Sequence, residues 1–330
     1  MDRLLSEEVV KASDVLRDYV KHTPLIHSQS LSNKCGNKVF LKSENLQHTG
    51  AFKVRGAMYK MLSLGEDART HGVVCASAGN HAQGVAYASR LLGVSATIVM
   101  PERTPSNKIL ATKNLGADVI IHGETFDDAN RKAQQLRDSH SLIEVHPFDD
   151  FHVMAGQGTI GTELLEQLDS VDVILVPIGG GGLIAGVLAA VKKSKPDVQV
   201  IGVEPIGACA MFRSFKEGNM VELTQVLTRA EGAAVKRPGL KAFDVVRRLC
   251  DDIVVVSEES IEEAVWTLMR DEKLVVEYAG ALTVAALKML PSRNKNVICL
   301  VTGGNIDGSL ISETIRVCSD RFAVAGAVGV

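Results

Sequence analysis

The sequence predicts an α/β protein built as two parallel-sheet domains. Two observations carry this. Short β-branched runs alternate with stretches of helical length through nearly all of the 330 residues. The runs are also apolar on both faces, as strands are when helices cover both sides of a parallel sheet. The length exceeds what one small core needs and fits one large or two ordinary domains.

In chain order, Val39–Lys42, Gly72–Ala76, Ala96–Met100, Asp118–His122 and Leu142–His146 read as strands, followed by Asp172–Ile178, Val198–Val203, Asp252–Ser257 and Asn296–Thr302. Between them lie amphipathic or Ala-rich segments at helical spacing: His81–Leu92, Pro105–Leu115, Thr125–Ser139, Leu183–Lys193 and Ser260–Arg270. Residues 72–150 are expected to close as a small domain of their own. Residues 1–71 and 151–330 are expected to form the larger one.

The bulk numbers exclude several function classes. The hydrophobic fraction is 46% and the net charge −3, with no Lys/Arg-rich run, so nothing points to nucleic acid. The six cysteines, at 35, 75, 209, 250, 299 and 318, include no Cys-x-x-Cys pair. Scattered in or near apolar runs, they read as buried thiols of a reducing compartment. Met1–Val20 mixes charges with apolar residues at helical spacing, so it is neither a signal peptide nor a span. The apolar tail Phe322–Val330 is too short to cross a bilayer. A cytoplasmic protein with no membrane partner is expected.

Chemistry concentrates at three strand ends and one lysine. Val173–Ile178 runs into Gly179-Gly180-Gly181-Gly182-Leu183 and then a helical segment. Without side chains, backbone N–H groups converge on an anion at a helix N-terminus, where the dipole favours negative charge. No Gly-Lys-Ser/Thr follows, and Gly-x-Gly-x-x-Gly spacing is absent, so a single phosphate is the economical ligand. Ser77-Ala78-Gly79-Asn80-His81 also follows a strand and opens a helix, suited either to capping it or to holding a carboxylate or ring hydroxyl. Thr302-Gly303-Gly304-Asn305 ends a third strand, and Thr302 offers a neutral hydroxyl to a ring nitrogen. Lys53, after Phe52 and a Thr49-Gly50 turn, is either a surface lysine beside Arg55 or a reactive amine. Together these suggest a phosphorylated aldehyde held as a Schiff base, which is pyridoxal phosphate. A lysine doing that work benefits from a depressed pKa.

At these residues the chain resembles the fold type II, tryptophan synthase β-like, pyridoxal-phosphate enzymes. It is most similar to threonine and serine dehydratases and serine racemase. The likeness runs in order from Thr23-Pro24-Leu25 through Thr49-Gly50-Ala51-Phe52-Lys53 to Asn305. The resemblance implies that the larger domain binds the cofactor. It implies that Lys53 holds the aldehyde and then acts as base, that Phe52 packs on the ring, and that Asn80 bonds the ring hydroxyl oxygen. Gly179, Gly180, Gly181, Gly182 and Leu183 would bind phosphate, and Thr302 would meet the pyridine nitrogen. Ser77, Ala78, Gly79 and His81 would surround the substrate carboxylate. Racemases of this kind carry a serine where Ala78 stands, and a methyl group cannot donate a proton. Dehydration of a 3-hydroxy amino acid, L-threonine or L-serine, is therefore expected over racemisation. Serine racemisation and a non-catalytic phosphate- or nucleotide-binding module are the competing readings.

Some positions depart from the family. Its divalent-metal site would use Glu204 and the Ala208 carbonyl, but the third position is Ala210, which has no ligand, so no metal is expected. The family's Ala-Asp-Gly block reads Ala230-Glu231-Gly232, and Glu277 matches a position near the cofactor or a paired helix-end acid. The chain stops soon after Asn305, short of the regulatory domain of biosynthetic threonine dehydratases, so no feedback control of that kind is expected. The family forms homodimers or homotetramers.

Overall fold

Among the described residues, ten strands form two sheets, a larger one of six strands and a smaller one of four, with fourteen α-helices packed around them. The computed structural model describes residues 1–291 and 293–327; residues 328–330, the end of the apolar tail, lie outside the described residues.

The chain starts with helix α1 (Asp2–Leu16), strand β1 (Leu25–Ser28), α2 (Gln29–Cys35) and β2 (Lys38–Ser43). A 3₁₀ turn at Glu44–Leu46 leads to α3 (Lys53–Leu64) and α4 (Glu66–His71). The smaller sheet follows without interruption: β3 (Val73–Ala76), α5 (Asn80–Leu92), β4 (Ala96–Met100), α6 (Ser106–Asn114), β5 (Asp118–Ile121), α7 (Phe126–His140) and β6 (Ile143–Glu144). Its strand order is β5-β4-β3-β6, all parallel. The chain then returns through α8 (Phe151–Gln167), β7 (Val173–Pro177), α9 (Gly182–Ser194), β8 (Gln199–Pro205), α10 (Ala210–Glu217), α11 (Leu240–Leu249) and β9 (Asp252–Val256). It ends with α12 (Glu258–Arg270), α13 (Tyr278–Ala286), β10 (Asn296–Val301) and α14 (Gly308–Ala327). The larger sheet runs β1-β2-β10-β7-β8-β9, parallel except for the antiparallel β1–β2 pair.

The strands of the larger sheet are apolar on both faces because both faces are covered. β7 is buried at all five positions, and its neighbour β10 at every position but Asn296. One core cluster packs α1, α3, α8 and α9 on one face; the other packs α12 and α13 on the opposite face. Close approach near the first turn of α3 depends on glycine. A Cβ on Gly56 would stand 2.7 Å from the Val153 carbonyl, and one on Gly156 2.7 Å from the Arg55 carbonyl.

Nine strands follow from sequence and the tenth, β1, does not. Leu25-Ile26-His27-Ser28 is four residues at a sheet edge and shows no periodicity of its own. Leu142–His146 shortens to the pair Ile143–Glu144, because the chain turns at His146.

Candidate active site

The carboxyl ends of β3, β7 and β10 and the start of α3 open onto one cavity of about 630 Å³. This is where ligands sit in parallel α/β sheets, outside the strand ends where the covering helices begin. Phe52, Lys53, Ser77, Ala78, Gly79, Asn80, His81, Gly179, Gly180, Gly181, Gly182, Leu183, Thr302 and Glu277 all line it.

Lys53 is the first residue of α3, and a buried charge network fixes that helix start. Two residues on, the Arg55 guanidinium, with no exposure, bonds Glu44 (2.8 Å), Glu163 (2.6 Å) and Thr159 Oγ1 (3.1 Å). Lys42 joins at Glu163 (2.5 Å), and Thr23 donates to Glu44 (2.5 Å). Two cations and two carboxylates balance. Removing one partner would strand a buried charge, at a cost of about 3–5 kcal/mol. The network clamps β2, the 3₁₀ turn, α3 and α8 around the loop that presents Lys53. The Lys53 Nζ donates to the Pro147 carbonyl (2.8 Å) and lies 5.3 Å from the Phe52 ring centre. Burial pushes its pKa down to about 8, against the attraction of Glu277.

The glycine run opens α9. Its N-cap, Gly181, lies at φ +95, a conformation that glycine adopts without strain and other residues do not. It has no side chain to cap the helix, so first-turn N–H groups remain for a ligand. The run is also closely packed against Phe148. A Cβ on Gly180 would stand 2.3 Å from the Phe148 ring, and one on Gly182 2.5 Å from the Phe148 carbonyl.

Asn80 is held from both sides. Its Nδ2 donates to Glu277 (2.6 Å), and its Oδ1 accepts from Asn305 Nδ2 (2.8 Å). One amide hydrogen stays available. Burial raises the Glu277 carboxyl to about 7, with the Asn80 bond opposing. Glu277, read from sequence as either a position near the cofactor or a paired helix-end acid, is paired with Asn80 and also lines the cavity. His81 is turned inward. Its Nε2 bonds the Val145 carbonyl (2.7 Å), and burial pushes its pKa down to about 3, so the ring is neutral. Ser77 Oγ accepts from Gly79 N–H (3.3 Å). The Thr302 carbonyl accepts from Phe52 N–H (3.1 Å), tying the end of β10 to the lysine loop.

Glu204 and Ala208 stand apart from this cavity. Both Glu204 oxygens cap α10, accepting from Met211 N–H (3.1 Å) and Phe212 N–H (2.7 Å), and burial raises the carboxyl to about 8. Ala208 ends a 3₁₀ turn before that helix. Among the described residues, no group of three or more His, Cys, Asp or Glu is placed to hold a metal ion.

Sequence reasoning missed Pro147, Phe148 and Lys108, which also line the cavity. Lys108 on α6 pairs with Glu231 of the Ala-Glu-Gly block, joining the smaller sheet's helices to the larger part. Pro147 and Phe148 follow a strand end, the signal that marked Ser77 and Thr302, but they carry no glycine or polar cluster to draw notice.

These residues fit pyridoxal phosphate. A depressed amine, a side-chain-free helix start and a held amide face the same space.

A family profile described as pyridoxal-phosphate dependent enzyme matches residues 16–303. The chain is 47% identical over 310 residues to an L-threonine ammonia-lyase of Geobacter sulfurreducens, covering 93% of this chain and 77% of that protein. It superposes on the processed form of threonine deaminase isoform 2 from Solanum lycopersicum with a TM-score of 0.90 at 37% identity, covering 94% of this chain and 92% of that one. Maize serine racemase gives the same TM-score, 0.90, at 32% identity, over 96% and 98%. The chain belongs to the pyridoxal-phosphate dependent enzymes, in their fold type II.

Proposed function

We propose that this chain is an ammonia-lyase that converts L-threonine, L-serine or both to the 2-oxo acid and ammonia. The observation that carries the reading is the meeting, in one cavity, of the Lys53 amine with the glycine-opened start of α9, while Ala78 lines the same space. The 47% identity to an L-threonine ammonia-lyase supports it.

When bound, pyridoxal phosphate supplies an aldehyde for amine capture and an electron sink for charge left at the substrate α-carbon. The protein supplies the rest. Gly179, Gly180, Gly181, Gly182 and Leu183 bind the phosphate through backbone N–H groups and the positive helix end. Phe52 packs on the ring, Asn80 bonds its hydroxyl oxygen, and Thr302 offers the ring nitrogen a neutral hydroxyl. Ser77, Ala78, Gly79 and His81 form the seat of the substrate carboxylate. Lys53 takes the α-proton at Nζ; a base near 8 is partly neutral at physiological pH, as that step requires. The proton taken from the α-carbon balances the departing β-hydroxyl, which leaves as water, and the resulting enamine hydrolyses to the 2-oxo acid and ammonia. Ala78 has no proton to return to the substrate, which favours elimination over inversion.

Residues 72–150 form the smaller domain in this reading, with 1–71 and 151–330 the larger. The smaller domain closes over the substrate, and the Lys108–Glu231 pair crosses between the two. A cytoplasmic homodimer or homotetramer follows from the family resemblance. Among the described residues no helix is long and apolar enough to cross a membrane.

The test is a panel of 3-hydroxy amino acids with 2-oxo acid and D-serine detection. L-Threonine or L-serine yields 2-oxo acid, and Lys53→Ala loses at least about 10³-fold of that turnover, as expected when an activated nucleophile and base is removed. Steady D-serine formation without 2-oxo acid, or an active Lys53→Ala variant, sinks the reading.

A further inference from the structure

Between β6 and α8 the chain turns at His146-Pro147-Phe148-Asp149-Asp150. The His146 Nδ1 accepts from the backbone N–H of Phe148 (3.2 Å) and of Asp149 (2.8 Å). Asp150 repeats the pattern with a carboxylate oxygen, which accepts from His152 N–H (2.9 Å) and Val153 N–H (3.0 Å). Both are side chains accepting from the second and third residues ahead, the geometry by which Asp and Asn close turns and cap helices. At position 146 a ring nitrogen does it. Because Nδ1 accepts, the ring carries its proton on Nε2.

This turn aims three groups. In a planar trans peptide the C=O and N–H point in opposite directions. Holding the Phe148 N–H on His146 therefore turns the Pro147 carbonyl the other way, where it accepts from Lys53 Nζ (2.8 Å). The Pro147 ring fixes φ, so closure of the turn removes the remaining freedom of that carbonyl. The Phe148 ring meets His146 edge-on (4.7 Å between centres) and backs onto Gly180. The Asp149 carboxylate accepts from the N–H groups of Leu240 (3.0 Å), Lys241 (2.9 Å) and Ala242 (3.2 Å), which anchors the turn on the start of α11.

We propose that His146 is a positioning residue for Lys53: by closing this turn through Nδ1 it sets the carbonyl that holds the lysine amine and seats Phe148 against the phosphate loop. Burial, chiefly, holds the imidazole below its ordinary range; Lys53 adds to that, while Glu144, Asp149 and Asp150 oppose it. The ring is thus neutral and able to accept at neutral pH. The inference rests on the reading of Lys53 as the cofactor amine.

Three variants separate the acceptor from the ring. His146→Asn keeps an acceptor atom where Nδ1 stands, His146→Gln moves it one methylene out, and His146→Phe keeps a ring without one. The cofactor-free chain of each is mixed with pyridoxal phosphate, and separately with unphosphorylated pyridoxal. The growth of the visible absorbance that marks aldehyde capture is timed, with the melting temperature recorded alongside. His146→Gln and His146→Phe are expected to slow capture about tenfold with both aldehydes, while His146→Asn stays within about threefold of the parent, the scale of one or two lost hydrogen bonds. The proposal is overturned if Gln and Phe capture at the parent rate, if Asn is as slow as Phe, or if the slowing follows melting temperature rather than acceptor position. The Asn–Gln pair decides should the Phe variant not fold. Borohydride reduction and peptide mapping of the parent keep the two readings apart. A label elsewhere than Lys53 sinks the cofactor-amine reading; a label on Lys53 with capture indifferent to His146 sinks this one alone.

Discussion

Two strand-to-helix turns line the same cavity, and they are built oppositely. Ile178–Leu183, at the end of β7, has no spare room. A side chain on Gly180 or Gly182 would collide with Phe148, and one on Gly181 would stand 2.5 Å from Met211. Ser77–His81, at the end of β3, is loose by comparison: a Cβ on Gly79 meets nothing within 4 Å. The helices behind them differ in the same sense. All of α9 from Gly182 to Val191 is buried; α5, which opens at the looser turn, buries seven of its 13 residues, and the other two helices of the smaller sheet, α6 and α7, bury only Thr112, Ala129 and Ala133. On the proposed reading Ile178–Leu183 is the phosphate seat, which has one shape to fit, so pre-forming it against the core suits it. On the same reading Ser77–His81 is the substrate seat, which has to admit, enclose and release, so a place on the lighter part, where room and motion cost little, suits it.

The contrast is broken most sharply by adding one methyl group to each turn. Gly182→Ala forces the Phe148 backbone to move, an overpacking cost of about 1–3 kcal/mol, so the Kd for pyridoxal phosphate rises about 10- to 100-fold. Gly79→Ala has open space and changes that Kd less than about threefold, its effect falling on the KM for substrate. Equal losses of cofactor affinity in an equilibrium titration would erase the distinction.

A second expectation concerns pH. The Lys53 amine reacts only when neutral, and its pKa is pushed down to about 8. The rate of cofactor capture by the cofactor-free chain therefore rises with pH, levels off above about 8, and falls about tenfold per unit well below it. A rate still climbing toward pH 10 in stopped-flow absorbance would mean an unperturbed lysine.

The smallest effect belongs to the pair that joins the two parts. Lys108 is mostly buried but its partner Glu231 is two-thirds exposed, so the pair is worth at most about 1 kcal/mol. Lys108→Ala is expected to raise KM a few-fold and leave cofactor affinity unchanged. A loss of bound cofactor, read from the visible spectrum, would place Lys108 in the seat itself.

Much of the site is legible in the residue order because its signals are local. Val173–Ile178 followed by four glycines is a buried strand that must give way to a helix without side chains at the join, and β7 and α9 meet there. The Phe52-Lys53 block and Ser77–His81 are legible for the same reason. β1 is not, since Leu25–Ser28 is a strand only by pairing with β2. Nor is the turn at His146, whose ring nitrogen works as an asparagine oxygen would.

What the sequence determines by itself is the alternation of elements and the chemistry placed at their joins, since strand and helix periodicity and glycine's lack of a side chain act over a few neighbouring residues. Only the tertiary structure decides which joins face one cavity and how their groups are tuned. The Lys53 amine is depressed by burial and met by a carbonyl 94 positions along the chain, and Asn80 is held by Glu277 and Asn305. Desolvation and hydrogen bonding depend on distance in space, and these partners come together only when the two sheets pack.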